Sequence, residues 1–155
     1  MIVVADASPF IALANIGHTG ILPGLFGSVI IPPEVLTELR DPRRNEAVRS
    51  LLEPMPPWLQ VRAPARVEQV PELHPGECAA ISLAEELRAD VLLIDERVGH
   101  LVASTRGIRA VRTAAVIKQA ADMGLIADLR DAFARLMRTD FRVPRQALDR
   151  LLEAH

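Results

Sequence analysis

Two stretches of the chain share one pattern, an apolar run that ends in an aspartate, and this pattern restricts the fold more than any other. They are residues 2–6, Ile-Val-Val-Ala-Asp, and residues 91–95, Val-Leu-Leu-Ile-Asp. Continuous apolar runs of this length are typical of strands that are buried on both faces, as in a parallel sheet covered by helices. Such sheets bind ligands at the carboxyl ends of their strands. We therefore expect Asp6 and Asp95 to face one small site.

The composition is that of one domain with an aliphatic core. Half of the 155 residues are hydrophobic, but only 3% are aromatic. The net charge of −2 gives no overall attraction to nucleic acid or to an anionic membrane. The single cysteine, Cys78, excludes an intrachain disulfide, and no apolar run reaches the roughly 18 residues of a membrane helix. We expect one domain over residues 1–155 in a soluble, cytoplasmic protein that does not bind membranes.

Strand and helix patterns alternate along the chain. Apolar runs at 28–31, 58–62 and 108–111 predict further strands. Helical patterns punctuated by Ser, Pro and Gly cover 9–16, 19–26, 33–40, 44–53, 77–88, 97–106, 114–123, 126–137 and 145–153. This order predicts an α/β fold with three layers, α/β/α, around a mostly parallel sheet of about five strands.

Several acidic residues lie where the pattern predicts core or the inner side of a helix. Asp6 and Asp95 directly follow buried strands. Glu77 lies on the apolar side of its helix. Glu34 and Glu38 flank the apolar side of the 33–40 helix, so either could reach inward. These positions are unusual enough to suggest a functional site.

Each acid also has a purely structural interpretation. An aspartate after a strand often caps the next helix, which would explain Asp95. It explains Asp6 less well, because Ser8 stands directly before a proline and is the better cap. A glutamate in the first turn, such as Glu77, is favoured by the helix dipole. The two glutamates of the 33–40 helix face solvent by default.

Asp6, Glu38, Glu77 and Asp95 can converge at the strand ends. Four packed carboxylates repel one another and burial increases that penalty, so the cluster needs protons or a cation. Mg²⁺ and Mn²⁺ suit it because they prefer oxygen ligands. Such an ion can orient water, lower its pKa and neutralise charge on a phosphoryl oxygen. The chemistry indicated is metal-assisted hydrolysis of a phosphodiester.

Five short motifs, taken in order, resemble the PIN domain, the nuclease fold found in VapC-type toxins. They are residues 4–8 (Val-Ala-Asp-Ala-Ser), 31–39 (Ile-Pro-Pro-Glu-Val-Leu-Thr-Glu-Leu), 76–81 (Gly-Glu-Cys-Ala-Ala-Ile), 93–97 (Leu-Ile-Asp-Glu-Arg) and 111–113 (Val-Arg-Thr). Each motif alone is weak, and their order and spacing carry the resemblance. It extends from residue 2 to about residue 129 and is nearest to a poorly characterised PIN-like subgroup with a Gly-Glu third motif.

The resemblance implies a parallel sheet and an acidic Mg²⁺ or Mn²⁺ site that cuts single-stranded RNA. By position it implies four catalytic acids, Asp6, Glu38, Glu77 and Asp95, of which Asp6, Glu77 and Asp95 would bind the metal. Ser8 would hold Asp6 in orientation, a role compatible with helix capping. Thr113 would support the site or simply end the last strand.

The chain departs from the PIN pattern at two points. Many members have aspartate where this chain has Glu77, and the longer side chain alters the reach to a metal. The additional acid that usually follows the fourth motif is not evident. Glu96 either takes that role or faces solvent.

Four arginines lie near the proposed catalytic edge in the sequence: Arg97, Arg106, Arg109 and Arg112. They could bind the phosphate backbone, which provides most sequence-independent affinity for nucleic acid, although solvated surface charge is the better interpretation of each one alone. The scarcity of aromatic residues argues against extensive base stacking. The four histidines show no metal-ligand spacing and are given no role.

The resemblance further implies a homodimer and a small antitoxin whose C-terminal segment occupies the acidic groove, which would make the chain the toxin of a toxin–antitoxin pair. A catalytically silent PIN-like module that binds RNA or protein is the alternative. A receiver domain fits poorly, because Lys118 falls inside a predicted helix rather than at a strand end. A haloacid-dehalogenase-like phosphatase would need an aspartate at the position of Ser8.

Overall fold

Short strands and helices alternate along residues 1–154, the part of the chain that the structure, a computed structural model, describes. The strands are β1 (Val3–Ala5), β2 (Val29–Ile31), β3 (Leu59–Val61), β4 (Val91–Leu93) and β5 (Ala110–Val111). The helices are α1 (Ala7–Asn15), α2 (Ile21–Phe26), α3 (Pro33–Leu39), α4 (Glu46–Leu51), α5 (Pro75–Leu87), α6 (Arg97–Thr105), α7 (Thr113–Asp122), α8 (Leu129–Met137) and α9 (Arg145–Glu153). Every predicted strand and helix is present, most of them with ends shifted by one to a few residues.

The strands form one parallel sheet in the order β3-β2-β1-β4-β5. The chain builds outward from β1 to β3 and then crosses to the other side of β1 to add β4 and β5. In the register of the central pair, Val3 lies beside Val91 and Ala5 beside Leu93. The order therefore reverses between β1 and β4, and such a switch point opens a crevice at the carboxyl ends of the two strands.

Alternation along the strands divides the core into two layers of helices. Val3 and Ala5 point into the larger core, which contains buried side chains of α1–α4 and α7–α9. Val4, Leu92 and Ile94 point to the opposite face, against α5 and α6. Burial on both faces is what the continuous apolar runs predicted, and the three-layer α/β/α arrangement is confirmed.

Helix α1 begins earlier than the sequence suggested. Asp6 continues the extended conformation of β1, with φ −80° and ψ 175°, and occupies the N-cap position. Ser8 is consequently the second residue of the helix, and the prediction that it caps α1 was wrong. Pro9 at the third residue is tolerated, because N–H groups in the first turn have no acceptor within the helix.

The helices of residues 1–154 are too short to cross a bilayer. The longest, α5, has 13 residues, whereas a membrane-spanning helix needs about 20 apolar ones. Accordingly, none of the described helices is both long and apolar enough to span a membrane.

Candidate active site

Asp6 is a buried carboxylate, and one of its two oxygens has no hydrogen-bonding partner within residues 1–154. It lies at the end of the central strand, is 2% exposed, and its N–H donates to the carbonyl of Leu93 at 2.9 Å, which ties it to β4. Although Asp6 is the N-cap residue of α1, its side chain makes no capping hydrogen bond. Within residues 1–154, Oδ1 is buried without any partner. A buried oxygen of this kind needs a proton or a cation.

The surroundings of Asp6 favour its protonated form. Burial raises the pKa of Asp6 to about 7, against an opposing effect of the Ala7 N–H group. Three further carboxylates raise this pKa, in decreasing order of effect Glu77, Glu38 and Asp95. All four predicted acids are therefore near enough to one another to interact, as the sequence led us to expect.

Asp95 is held by Thr113, the first residue of α7. The N–H of Thr113 donates to Asp95 Oδ1 at 2.9 Å, and the Thr113 hydroxyl donates to Oδ2 at 2.6 Å. Thr113 is fully buried, so this pair is rigidly fixed. Burial raises the pKa of Asp95, and the two hydrogen bonds from Thr113 oppose that change. Each carboxylate oxygen keeps a lone pair for another ligand.

Glu96, not Asp95, caps helix α6. Its side chain accepts a hydrogen bond from the N–H of Gly99 at 2.6 Å. The capping interpretation of Asp95 was therefore wrong, because its carboxylate is not used to cap α6. Glu96 also helps raise the pKa of Glu77, so it lies near the acidic group while performing a structural task.

Glu77 lies in the first turn of α5 and is buried. Its Oε1 accepts the N–H of His74 at 2.9 Å, one half of a capping box. Burial raises the pKa of Glu77, the hydrogen bond from His74 lowers it, and the neighbouring Glu96 and Glu38 raise it. Glu77 therefore has both properties: it stabilises the first turn of α5, and it lies near Asp6.

Glu38 approaches Asp6 across the backbone of Gly76. A Cβ atom at Gly76 would lie 3.2 Å from Glu38 Oε2 and 3.6 Å from Asp6 Oδ1, so both oxygens pack against the same point of α5. The other oxygen of Glu38, Oε1, lies 3.6 Å from Arg44 Nη2. The side chain of Glu38 is 42% exposed and forms the open rim of the acidic site. Glycine at position 76 allows this close approach.

The ligand chemistry of these acids suits Mg²⁺ or Mn²⁺, but their side chains do not form a complete metal-binding site. Their donors are all carboxylate oxygens, which these ions prefer, and the unpartnered Oδ1 of Asp6 is available. No three Asp, Glu, His or Cys side chains in residues 1–154 are already placed to hold an ion. Glu77 is engaged by His74 and Glu38 by Arg44. Each of these two glutamates therefore has one carboxylate oxygen already engaged.

Ser8 and the other predicted supporting residue have different surroundings. Ser8 is half-buried in the first turn of α1, and among the described residues no hydrogen bond joins it to Asp6. Thr113, by contrast, contacts its acid through two hydrogen bonds. The structure therefore provides a contact for one of the two predicted supports.

A groove of about 960 Å³ opens beside the acidic site, and Asp95 is part of its lining. It lies between β5, the beginnings of α6 and α7, and residues 142–151. Three of the four predicted arginines line it, Arg97, Arg109 and Arg112. The structure thus brings these three side chains to one surface that is continuous with the acids.

Arg106 does not belong to that groove. It follows the last residue of α6, at the opposite end of the helix from Arg97. Its guanidinium lies 3.2 Å from Glu68 and 3.2 Å from Glu85, and these ion pairs connect α6 to α5 and to the segment before it. The closeness of Arg106 to the other arginines in the sequence was misleading, because α6 places Arg97 and Arg106 at opposite ends of the helix and so at opposite edges of the sheet.

Several residues that sequence reasoning did not single out lie around the site. Arg44 pairs with Glu38, and the groove also contains His100, Arg142 and Arg150. The pKa of His100 is lowered by burial and by Arg112. The position of Arg44, a few residues after the helix that contains Glu38, could have suggested this ion pair. Residues 142–150 reach the groove only because α9 packs beside it.

Comparison with known proteins agrees with this architecture. The family model DUF3368, described as a PIN domain, matches residues 2–155. Among solved structures, a PilT N-terminus domain protein, SSO1118, from the hyperthermophilic archaeon Sulfolobus solfataricus P2 is similar, with a TM-score of 0.57 and 20% identity over 75% of this chain and 90% of that one. At this identity the likeness concerns the fold alone. No curated protein matches the sequence.

Proposed function

The chain belongs to the PIN-domain family, generally a nuclease fold, and on this premise we propose that it is a metal-dependent endoribonuclease that hydrolyses single-stranded RNA. The observation that supports the proposal most is the unpartnered, buried Oδ1 of Asp6 among three further carboxylates at the switch point of the sheet. Such an arrangement costs stability unless a proton or a cation compensates it. In a nuclease, the same repelling carboxylates would form the binding site of the divalent ion that the reaction needs.

The four acids have two tasks in the proposed reaction. Asp6, Glu77 and Asp95 would hold Mg²⁺ or Mn²⁺, which supplies positive charge and a water of lowered pKa. Thr113 keeps both oxygens of Asp95 in a fixed orientation. We assign to Oε2 of Glu38, at the open rim, the acceptance of a proton from the attacking water.

The proposed class of substrate and the proposed partners rest on the family resemblance. We propose that the chain acts as the toxin of a toxin–antitoxin pair, works as a homodimer, and is inhibited by a small antitoxin. The arginines of the groove are compatible with a polyanionic substrate, because they bring positive charge to the side of the site.

The proposed function is tested with end-labelled single-stranded RNA. We expect internal cleavage products in Mn²⁺ and none when EDTA replaces the ion, because no side chain alone replaces the charge of the metal. Single-stranded DNA of the same sequence serves as the comparison substrate. Absence of cleavage across a random-sequence RNA pool in Mn²⁺ would reject the nuclease proposal, and so would equal cleavage in EDTA.

A catalytically silent PIN-like module that binds RNA or protein is the second candidate. It is favoured by one observation, namely that no three potential ligands in residues 1–154 are already arranged around an ion. A chain that never closed its metal site would keep the fold and the groove without the reaction. Calorimetry with Mn²⁺ separates the two, because the silent module should give no heat of binding.

The pH dependence of Mn²⁺ binding is a further prediction. Since the pKa of Asp6 is about 7, the ion must displace a proton below that pH. We expect the apparent affinity for Mn²⁺ to rise up to about tenfold per pH unit between pH 5 and 7 and then to level off. Titrations in two buffers of different ionisation enthalpy will count the protons released. Affinity that stays constant over this range would contradict the role of Asp6.

A further inference from the structure

The groove beside the acidic site concentrates positive charge in a chain that is weakly negative overall. Its lining contains the arginines Arg97, Arg109, Arg112, Arg142 and Arg150, and Asp95 is its sole carboxylate among the described residues. The whole chain has 18 basic residues against 20 acidic ones. This local excess of positive charge makes the groove suited to an anion.

The groove arginines form no ion pair at contact distance within residues 1–154, although Arg112 is close enough to Asp95 to help lower the pKa of that carboxyl. In residues 1–154 none of the five lies within ion-pair distance of a carboxylate, although Arg43, Arg44, Arg106 and Arg135 elsewhere all do. Arg142 and Arg150 are also exposed. Unpaired guanidinium groups provide fork-shaped donors that match phosphate oxygens.

The charges are distributed along the groove rather than gathered at one point. Arg109 and Arg112 flank the two residues of β5, so three residue steps of extended chain place them about 10 Å apart. Arg142 precedes α9 and Arg150 lies within it. A linear polyanion matches this distribution better than a single phosphate does, and the volume of about 960 Å³ suits a few nucleotides.

The walls between the arginines are largely apolar, with Ala110, Ala114 and Ala147 among the lining residues. Apart from the arginines and Asp95, the lining residues of the described chain that could read a base edge are Gln119 and His100, and the rings that could stack on a base are Phe26 and His100. Base reading and stacking are therefore limited. Binding there would depend on the backbone of the strand more than on its sequence.

We propose that this groove binds the sugar–phosphate backbone of a single RNA strand on one side of the acidic site, with Arg142 and Arg150 as the outer phosphate contacts. The inference rests on the proposed function to the extent that this strand is the substrate. Continuity supports it, because Asp95 belongs both to the acidic group and to the groove. The C-terminal segment thereby becomes part of the nucleic-acid site.

The test compares two double variants with the same change in charge. In R142A/R150A both outer groove arginines are removed. In R138A/R145A two exposed arginines that do not line the groove are removed from the same region. The probe is a fluorescein-labelled oligouridylate of about twelve nucleotides in EDTA, which prevents cleavage, and its anisotropy is followed at several salt concentrations.

We expect R142A/R150A to raise the Kd of the oligouridylate by about tenfold or more at low salt and to reduce the salt slope by about 1.4, or 0.7 for each lost phosphate contact. R138A/R145A should remain within about twofold of the unmodified chain. Equal weakening in both variants would overturn the proposal. So would binding of polyglutamate in place of the oligouridylate, which would assign the groove to an acidic protein partner.

The measurement also separates this inference from the nuclease proposal, because binding in EDTA does not require the reaction. If R142A/R150A loses the strand while the unmodified chain cuts no RNA in Mn²⁺, the groove is confirmed and the nuclease is rejected. If RNA is cut but the two double variants bind alike, the nuclease stands and the groove proposal fails. Thermal unfolding of both variants verifies that the fold is intact.

Discussion

Replacement of Asp6 by asparagine is expected to abolish RNA cleavage and, at the same time, to make the metal-free protein more stable above pH 7. The loss of cleavage should be about a thousandfold or more, because several kcal/mol of charge stabilisation disappear when the ion is no longer held. Since asparagine has nearly the shape of aspartate, the effect isolates the charge. Its amide can also donate to the neighbouring carboxylates.

The gain in stability follows from the pKa of Asp6. The folded state holds this proton with a pKa of about 7 instead of 3.8, so the stability it contributes is complete below about pH 4 and is lost as the pH rises to 7. Above pH 7 the loss amounts to at most about 4 kcal/mol. Asp6→Asn removes this dependence, and its advantage over the unmodified chain should therefore grow from near zero at pH 4 to its maximum above pH 7.

Chemical unfolding at several pH values and cleavage assays in Mn²⁺ measure the two effects. Asp128→Asn is the matched control, because Asp128 caps α8 by accepting the N–H of Asp131 at 3.0 Å and asparagine caps equally well. It should change neither property. Mn²⁺ should stabilise the unmodified chain but not Asp6→Asn. An asparagine variant that cuts RNA normally, or is less stable above pH 7, would contradict our account of Asp6.

The second large effect is expected at Thr113, a positioning residue. In Thr113→Val the shape and the backbone N–H remain, but the hydroxyl that donates to Asp95 Oδ2 at 2.6 Å is lost. We expect cleavage and Mn²⁺ affinity to fall by about 10- to 100-fold, which is typical when the partner of a metal ligand is removed. The free energy of unfolding should fall by about 1–2 kcal/mol.

Two further variants distinguish positioning from simple loss of stability. Thr113→Ser restores the hydroxyl and should recover most of the cleavage and Mn²⁺ affinity. Thr139→Val removes the two hydrogen bonds of another hydroxyl, one donated to the carbonyl of Leu136 and one accepted from the N–H of Phe141, outside the acidic site. It should cost comparable stability and leave cleavage unchanged. If Thr113→Ser behaves like Thr113→Val, or if Thr113→Val retains full activity, Thr113 does not position Asp95.

The elements of the fold could be predicted because their signals are local. Unbroken apolar runs predicted strands buried on both faces, and proline or glycine punctuation predicted the helix boundaries. The helix at 145–153 even has the predicted ends. The parallel order of the strands followed from the alternation with helices. The same patterns predicted that Asp6 and Asp95 would reach the carboxyl edge of the sheet.

The contacts of the site were less predictable, because they depend on strand register and on packing between segments far apart in the chain. Residues 95 and 113 are 18 positions apart, and the parallel pairing of β4 with β5, in which Leu93 lies beside Val111, brings Thr113 beside Asp95. Capping of α1 was misjudged because extended backbone continues through Asp6 and the helix starts immediately afterwards. A cap motif in the sequence does not reveal where the preceding strand ends.

The elements, their order and the acids that follow the strands can be read from the sequence, since propensity and apolar periodicity act over a few residues. The ion pairs of Arg106 and the contribution of residues 142–150 to the groove become evident in the folded protein. These outcomes depend on which end of a helix lies at which edge of the sheet, and on contacts between segments separated by tens of residues. Local sequence patterns do not predict these contacts, because the contacts arise only when distant segments pack together.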